Sequence, residues 1–283
     1  MNITAILAGA AVALLLWILA LRIRGPEGRG VGAVALAAAI PLLAVATTHH
    51  LQGASFGYPP KEFMHAALLA GVGAVPLALL AGFHVRRSQW VAFAGFALGA
   101  VALFLLSTKS LHERYWDGRV FLYVACLSGA AVIAYGGRLI AESQGRTAEA
   151  ALATGLATLG AAMALGQSTG VSAMDAAALS SSAGLFGLML VGLAFFGSEE
   201  LRPFTPVGRA AATSQVALFA GLLANGVLYA ETPRTAGLLL LTAPLMVLLP
   251  GRSLVASVVR LTLVAGCAAL AAFLSQVEPN PYG

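Results

Sequence analysis

The chain has 283 residues, of which 59% are hydrophobic and only 10% are charged, and its formal net charge is +5. A soluble domain carries about a quarter charged residues, so this composition excludes a soluble enzyme. The basic residues are scattered at the ends of apolar runs, which also excludes a nucleic-acid binder.

Apolar runs of about twenty residues, joined by short loops, follow one another from Met1 to Gln276. A helix needs about 20 apolar residues to cross roughly 30 Å of hydrocarbon, so the sequence predicts an all-α transmembrane bundle of ten spans. In chain order the predicted spans are 2–22, 31–49, 63–83, 90–108, 119–139, 148–166, 182–198, 209–229, 235–250 and 254–275. The first run lacks a preceding basic segment and is longer than a signal-peptide core, so we expect it to be retained. The ninth is the shortest, because Pro233 and Pro250 bound it and Pro244 lies inside it.

The distribution of Lys and Arg between alternate loops predicts the orientation, because basic loops remain in the cytoplasm. Most of the 16 basic residues, beginning with Arg22, Arg24 and Arg29, fall on one side of a ten-span bundle. This places both termini outside the cytoplasm. We therefore expect a multi-pass protein of the cell membrane, in particular the bacterial inner membrane, with the lipid bilayer as its partner.

A candidate tandem repeat relates residues 31–139 to residues 148–250, within one integral membrane domain that covers residues 1–283. Gly53-Ala54-Ser55 corresponds to Gly170-Val171-Ser172, and the charged loop 113–119 corresponds to the loop 231–234. Transporters often carry such duplications. The repeat predicts two four-helix units of the same orientation, flanked by one helix at each end.

Four of the five histidines fall on the predicted outer side, and they are the candidate metal ligands: His49, His50, His65 and His112. Neutral imidazole is the commonest metal ligand and also an axial ligand of haem. The same loops carry the residues that are candidates for outer-loop contact with a partner or headgroup: Glu62, Glu113, Arg114, Trp116 and Asp117. No HExxH motif or Cys/His spacing is present, and polar residues at an interface produce the same pattern. The sequence therefore assigns no cofactor.

Neutral polar residues interrupt the apolar runs of the second half, and these are the candidate solute path: Gln167, Ser168, Thr169, Gln215 and Asn225. The same groups could instead form interhelical hydrogen bonds of about 0.6–2 kcal/mol each. Arg260 is the only charge clearly within an apolar run, and we expect it to extend to the cytoplasmic interface. The two cysteines, Cys126 and Cys267, lie inside apolar runs and indicate no disulfide framework.

Three functions are compatible with these patterns. The leading hypothesis is a transporter or channel for a small solute, since ten helices leave little material for a catalytic module outside the bilayer. The alternative is a membrane subunit of a larger redox or enzyme complex, whose outer loops dock a partner or bind haem, quinone or metal. A third is a membrane enzyme on a lipid-linked substrate, with Glu113 or Asp117 as base and Arg114 holding a phosphate.

Overall fold

The computed structural model describes residues 3–23, 31–51, 119–169, 206–228, 232–251 and 253–276. Within these ranges the chain forms seven α-helices and one short 3₁₀ helix, with no strand. The α-helices are α1 (Ile3–Arg22), α2 (Val31–Leu51), α3 (Arg119–Ser143), α4 (Thr147–Thr169), α5 (Pro206–Leu228), α6 (Arg234–Thr242) and α7 (Leu254–Leu274). The 3₁₀ helix, Ala243–Leu248, follows directly after α6.

The helical prediction is confirmed for the described part of the chain. Seven of the ten predicted spans coincide with helices there. The largest difference is in the ninth, 235–250, whose α-helix ends at Thr242 and continues as a 3₁₀ helix to Leu248; the next largest is at the end of α3, which is Ser143 rather than residue 139. The predicted spans 63–83, 90–108 and 182–198 lie outside the described residues. Among the described residues two helical stretches, Glu149–Ser168 and Leu254–Leu274, are long and apolar enough to cross a membrane, by length and composition alone.

Helix α5 is the central element of the bundle. Every residue from Ala210 to Ala224 is buried, because α5 packs against α2, α3 and α4. Helix α4 is also interior, and 78% of its apolar stretch is buried, whereas the value for α7 is 22%. The described helices therefore form an inner layer around α4 and α5, with α1 on the outside of α2 and α7 on the outside of α4.

Small side chains allow these helices to pack closely. The larger core cluster consists mainly of alanines from α3, α4 and α5. At the crossing of α4 and α7, a Cβ added to Gly160 would lie 2.5 Å from the Cβ of Ala268, so only glycine fits there. Close approach through small residues is how helices associate in lipid, where burial from water supplies no driving force.

The outer surfaces of α1 and α7 are apolar. Leu7 and Leu15 on α1 and Leu254, Val255 and Phe273 on α7 are all more than 60% exposed. Monomeric soluble proteins rarely expose contiguous apolar patches above a few hundred Å². Such faces are compatible with a surrounding of lipid hydrocarbon, which has the polarity of these side chains.

The shortest predicted span changes helix type at its proline. Helix α6 ends at Thr242, and the chain continues as a 3₁₀ helix that has Pro244 in its first turn, since proline cannot donate the α-helical hydrogen bond. The nine α-helical residues rise about 14 Å and the six 3₁₀ residues about 12 Å. The two parts together are about 26 Å long.

Candidate functional site

A buried ion pair joins the start of α4 to α7. Arg260 donates from Nε to Oε1 of Glu149 and from Nη2 to Oε2 of Glu149, the second at 2.9 Å. Ser257 donates to Oε2 of Glu149 at 3.0 Å. Arg260 is 2% exposed, so the expectation that it extends to the interface is wrong. Its charge is neutralised inside the protein by Glu149, which the chain places 111 residues earlier.

Two arginines also bind the chain between the 3₁₀ helix and α7. Arg260 donates from Nη1 to the carbonyls of Leu249 and Gly251, at 3.1 and 3.0 Å. Arg146 donates to the carbonyls of Val247, Leu249 and Gly251, each at 3.0 Å. Carbonyls at a helix end lack intrahelical partners, and these arginines supply them. We call Arg146, Glu149, Ser257 and Arg260 the Glu149–Arg260 cluster; its polar groups bind one another and the backbone, which is a structural role.

Three consecutive polar residues, Thr213, Ser214 and Gln215, lie on the buried helix α5, and we call them the α5 polar run. Oε1 of Gln215 accepts a hydrogen bond from Nη1 of Arg138 on α3 at 3.0 Å. Ser214 donates to the carbonyl of Ala38 on α2 at 2.8 Å. Since successive residues of a helix project about 100° apart, the three side chains face different neighbours. Two of them bridge α5 to α3 and to α2.

The remaining member of the run is unsatisfied. Oγ1 of Thr213 and Nε1 of Trp17 are buried without a hydrogen-bond partner in the part of the chain that the structure describes. Trp17 belongs to the apolar cluster of α1, α2 and α5, which includes Ala210, and Thr213 lies one turn after Ala210 on the same face of α5. A buried polar group without a partner costs about 1–3 kcal/mol. Water molecules or small polar solutes are partners that such groups can bind.

The described members of the predicted solute path differ in burial and in contacts. Gln215 is fully buried in the α5 polar run, whereas Gln167 is exposed near the end of α4. The hydroxyl of Ser168 is 2.9 Å from that of Thr232, a contact between α4 and the start of α6. The side chains of Thr169 and Asn225 lie outside the described residues. Of the predicted path, Gln215 is the member that the described structure places in the interior.

The candidate outer site falls mostly outside the described residues. His50 is exposed at the end of α2, and the side chain of His49 is not among those described. The other predicted outer residues lie outside the described ranges, namely Glu62, His65, His112, Glu113, Arg114, Trp116 and Asp117. Within those ranges no group of three or more His, Cys, Asp or Glu could hold a metal ion. The metal, haem and partner sites stay predictions.

A groove of about 410 Å³ lies between α3, α5 and α6, and sequence reasoning did not find it. The described residues that line it include Gly129 and Ile133 of α3, Leu223 and Val227 of α5, and Arg234 and Leu238 of α6. We call it the α3–α5–α6 groove. Its lining is apolar except at Arg234, the first residue of α6. The sequence carries two signals for it, a glycine within the run of α3 and a basic residue at the start of α6, and neither signal is specific.

No protein-family model, curated protein or solved structure matches this chain.

Proposed function

We propose that the chain is a multi-pass integral membrane protein that lets a small neutral solute cross the bilayer through its helical bundle. Its two apolar helical stretches and the exposed apolar faces of α1 and α7 support a membrane location. In this proposal the three spans outside the described residues complete a ten-span protein of the cell membrane, with both termini outside the cytoplasm.

The observation that carries the proposal is the unsatisfied polar face of α5. Thr213 and Trp17 have polar atoms that the described structure buries without a partner, in the best-buried helix and in its apolar neighbourhood. Each such group costs about 1–3 kcal/mol while it stays without a partner. Retention of two such groups favours an exchangeable partner, such as water or a solute passing along α5.

The chemistry of this region suits an uncharged solute and uncoupled movement. Thr213 offers a hydroxyl group without a partner among the described residues, which can replace the hydration of a neutral polar molecule, whereas Ser214 and Gln215 already hydrogen-bond α2 and α3. The buried carboxylate of the described residues, Glu149, is paired with Arg260, and coupling to protons normally needs a carboxylate that can exchange its proton. We therefore propose a channel or facilitative carrier.

The test is solute entry into proteoliposomes, followed by stopped-flow light scattering after an osmotic step. The solutes are urea, glycerol and erythritol, in order of increasing size. The variant is Thr213→Val, and the matched control is Thr154→Val, since Thr154 is equally buried but its hydroxyl is satisfied by the carbonyl of Ala150 at 2.8 Å. Loss of one hydrogen bond to the solute of about 1 kcal/mol predicts about fivefold slower entry for Thr213→Val alone.

Two results would contradict the proposal at different levels. If no solute enters wild-type proteoliposomes faster than protein-free liposomes, transport of these neutral solutes is wrong. If solute enters but Thr213→Val and Thr154→Val behave alike, the path does not follow the unsatisfied face of α5.

The membrane-subunit alternative rests on the exposed position of His50 at the end of α2, where it is open to a partner or cofactor. An oxidised and a dithionite-reduced visible spectrum of protein purified gently from its own membrane tests the haem version. A haem band that His50→Ala abolishes would favour this alternative over transport.

A further inference from the structure

The α3–α5–α6 groove has the form of a site for one hydrocarbon chain. It encloses about 410 Å³, within the 300–1,000 Å³ range of ligand pockets. From Arg234 to Leu241, residues of α6 line it over two helical turns, which corresponds to about 10 Å along the axis. A Cβ added to Gly129 would meet no atom within 4 Å, so this glycine leaves room in the groove wall.

The polar end of the groove carries one cation. Arg234 is exposed, and its guanidinium makes no hydrogen bond or ion pair with the described residues. In the proposed topology the start of α6 lies at the outer boundary of the bilayer, where phospholipid phosphates lie. A guanidinium pairs with phosphate oxygens through two parallel hydrogen bonds. The groove thus combines an apolar channel for a chain with a cation at the depth of a headgroup.

We infer that the α3–α5–α6 groove binds an anionic phospholipid of the surrounding bilayer, with one acyl chain between the three helices and its phosphate on Arg234. This inference rests on the membrane location in the proposed function, but not on transport. Charge complementarity selects the occupant, because one basic residue near the membrane surface favours anionic over zwitterionic lipid.

Helix α6 gives the bound lipid a structural consequence. It has only nine residues before the chain changes to a 3₁₀ helix, and isolated helices of this length are marginal without tertiary packing. Leu238, which is 61% exposed, lines the groove. An acyl chain in the groove covers this side chain and holds α6 against α3 and α5.

The test is native mass spectrometry of the full chain in mild detergent, with phosphatidylglycerol titrated against phosphatidylcholine. We expect a preference of about fivefold for phosphatidylglycerol, the effect of one basic contact. Gly129→Leu fills the groove and abolishes retention of both lipids. Gly136→Leu is the matched control, because Gly136 is on the same helix, also has open space at its Cβ and does not line the groove.

A second variant separates the headgroup contact from folding. Arg234→Gln keeps the groove and is expected to bind phosphatidylglycerol no better than phosphatidylcholine. The inference is overturned if Gly129→Leu retains as much phosphatidylglycerol as Gly136→Leu, if wild type shows no preference between the headgroups, or if laurate displaces the phospholipid at equal concentration. Proteoliposome flux is read independently, so lipid retention without flux would contradict transport alone, and flux without lipid retention would contradict the groove alone.

Discussion

Replacing Glu149 by glutamine tests whether the Glu149–Arg260 cluster holds α4 and α7 together. The substitution keeps the side-chain shape and one oxygen acceptor but removes the negative charge that receives two hydrogen bonds from Arg260. The guanidinium then remains in a site where it is 2% exposed. Its other partners are the hydroxyl of Ser257 and the backbone carbonyls before α7.

Removal of one partner of a buried ion pair costs about 3–5 kcal/mol, because the remaining charge stays buried and unneutralised. The carbonyls of Leu249 and Gly251 stay within 3.1 Å of Nη1 of Arg260 and offset part of this penalty. We therefore expect the lower end of the range, about 3 kcal/mol. For a chain of this size that corresponds to a decrease in Tm of about 6–12 °C.

The assay is thermal unfolding of the purified protein in mild detergent. Arg22→Met is the control, because Arg22 is exposed at the end of α1. Its loss should change the free energy of unfolding by less than about 0.5 kcal/mol. A double-mutant cycle with Arg260→Met isolates the pair. The double variant leaves neither Glu149 nor Arg260 as a buried charge. Its loss in free energy of unfolding should therefore be smaller than the sum of the two single losses by at least about 2 kcal/mol. Additive single effects, or a Tm unchanged in Glu149→Gln, would refute the reasoning.

Two further substitutions test the packing of the bundle. Gly160→Ala should destabilise the protein by about 1–3 kcal/mol in the same assay, because the added Cβ would meet that of Ala268 at 2.5 Å. Gly136 has open space at its Cβ, so Gly136→Ala should instead stabilise the protein by about 0.5–1 kcal/mol through the higher helix propensity of alanine. A stabilised Gly160→Ala would contradict the close crossing. Gln215→Leu should lower stability by about 1.5–3 kcal/mol, the value of a hydrogen bond to a charged group such as Arg138, and a neutral effect would show that this contact is not formed.

The described helices were predictable because their signal is local. An apolar run of about twenty residues is long enough to require a helix in lipid, and the runs that became α1, α2 and α7 were bounded to within two residues. Pro244 inside the short ninth run marked the place where the α-helix ends, but the change to a 3₁₀ helix after Thr242 was not predicted. Each of these features depends on residues that are neighbours in the sequence.

Features that depend on pairing across the chain were not predictable. Arg260 was expected to reach the interface, because nothing near it in the sequence could neutralise it, yet Glu149 does so from the start of another helix. Gln167 and Gln215 had the same chemistry in the sequence, but one is exposed and the other buried against Arg138. Hydropathy ranks residues by polarity, whereas helix rotation and neighbour choice decide which polar groups face each other.

The degree of hydrogen-bond satisfaction separates two kinds of buried polar residue in this bundle. In the Glu149–Arg260 cluster, the carboxylate accepts bonds from Arg260 and Ser257, so movement there would break several charge-assisted contacts at once. On α5, Thr213 makes no such bond among the described residues, so a visiting molecule gains a partner without displacing one. If Thr213 served only packing, Thr213→Val would raise the stability of the protein, because it removes a buried hydroxyl that has no hydrogen-bond partner among the described residues. We expect a gain in stability of about 1 kcal/mol together with slower solute entry; a gain in stability with no loss of flux would identify Thr213 as a packing defect and remove the main support for a path along α5.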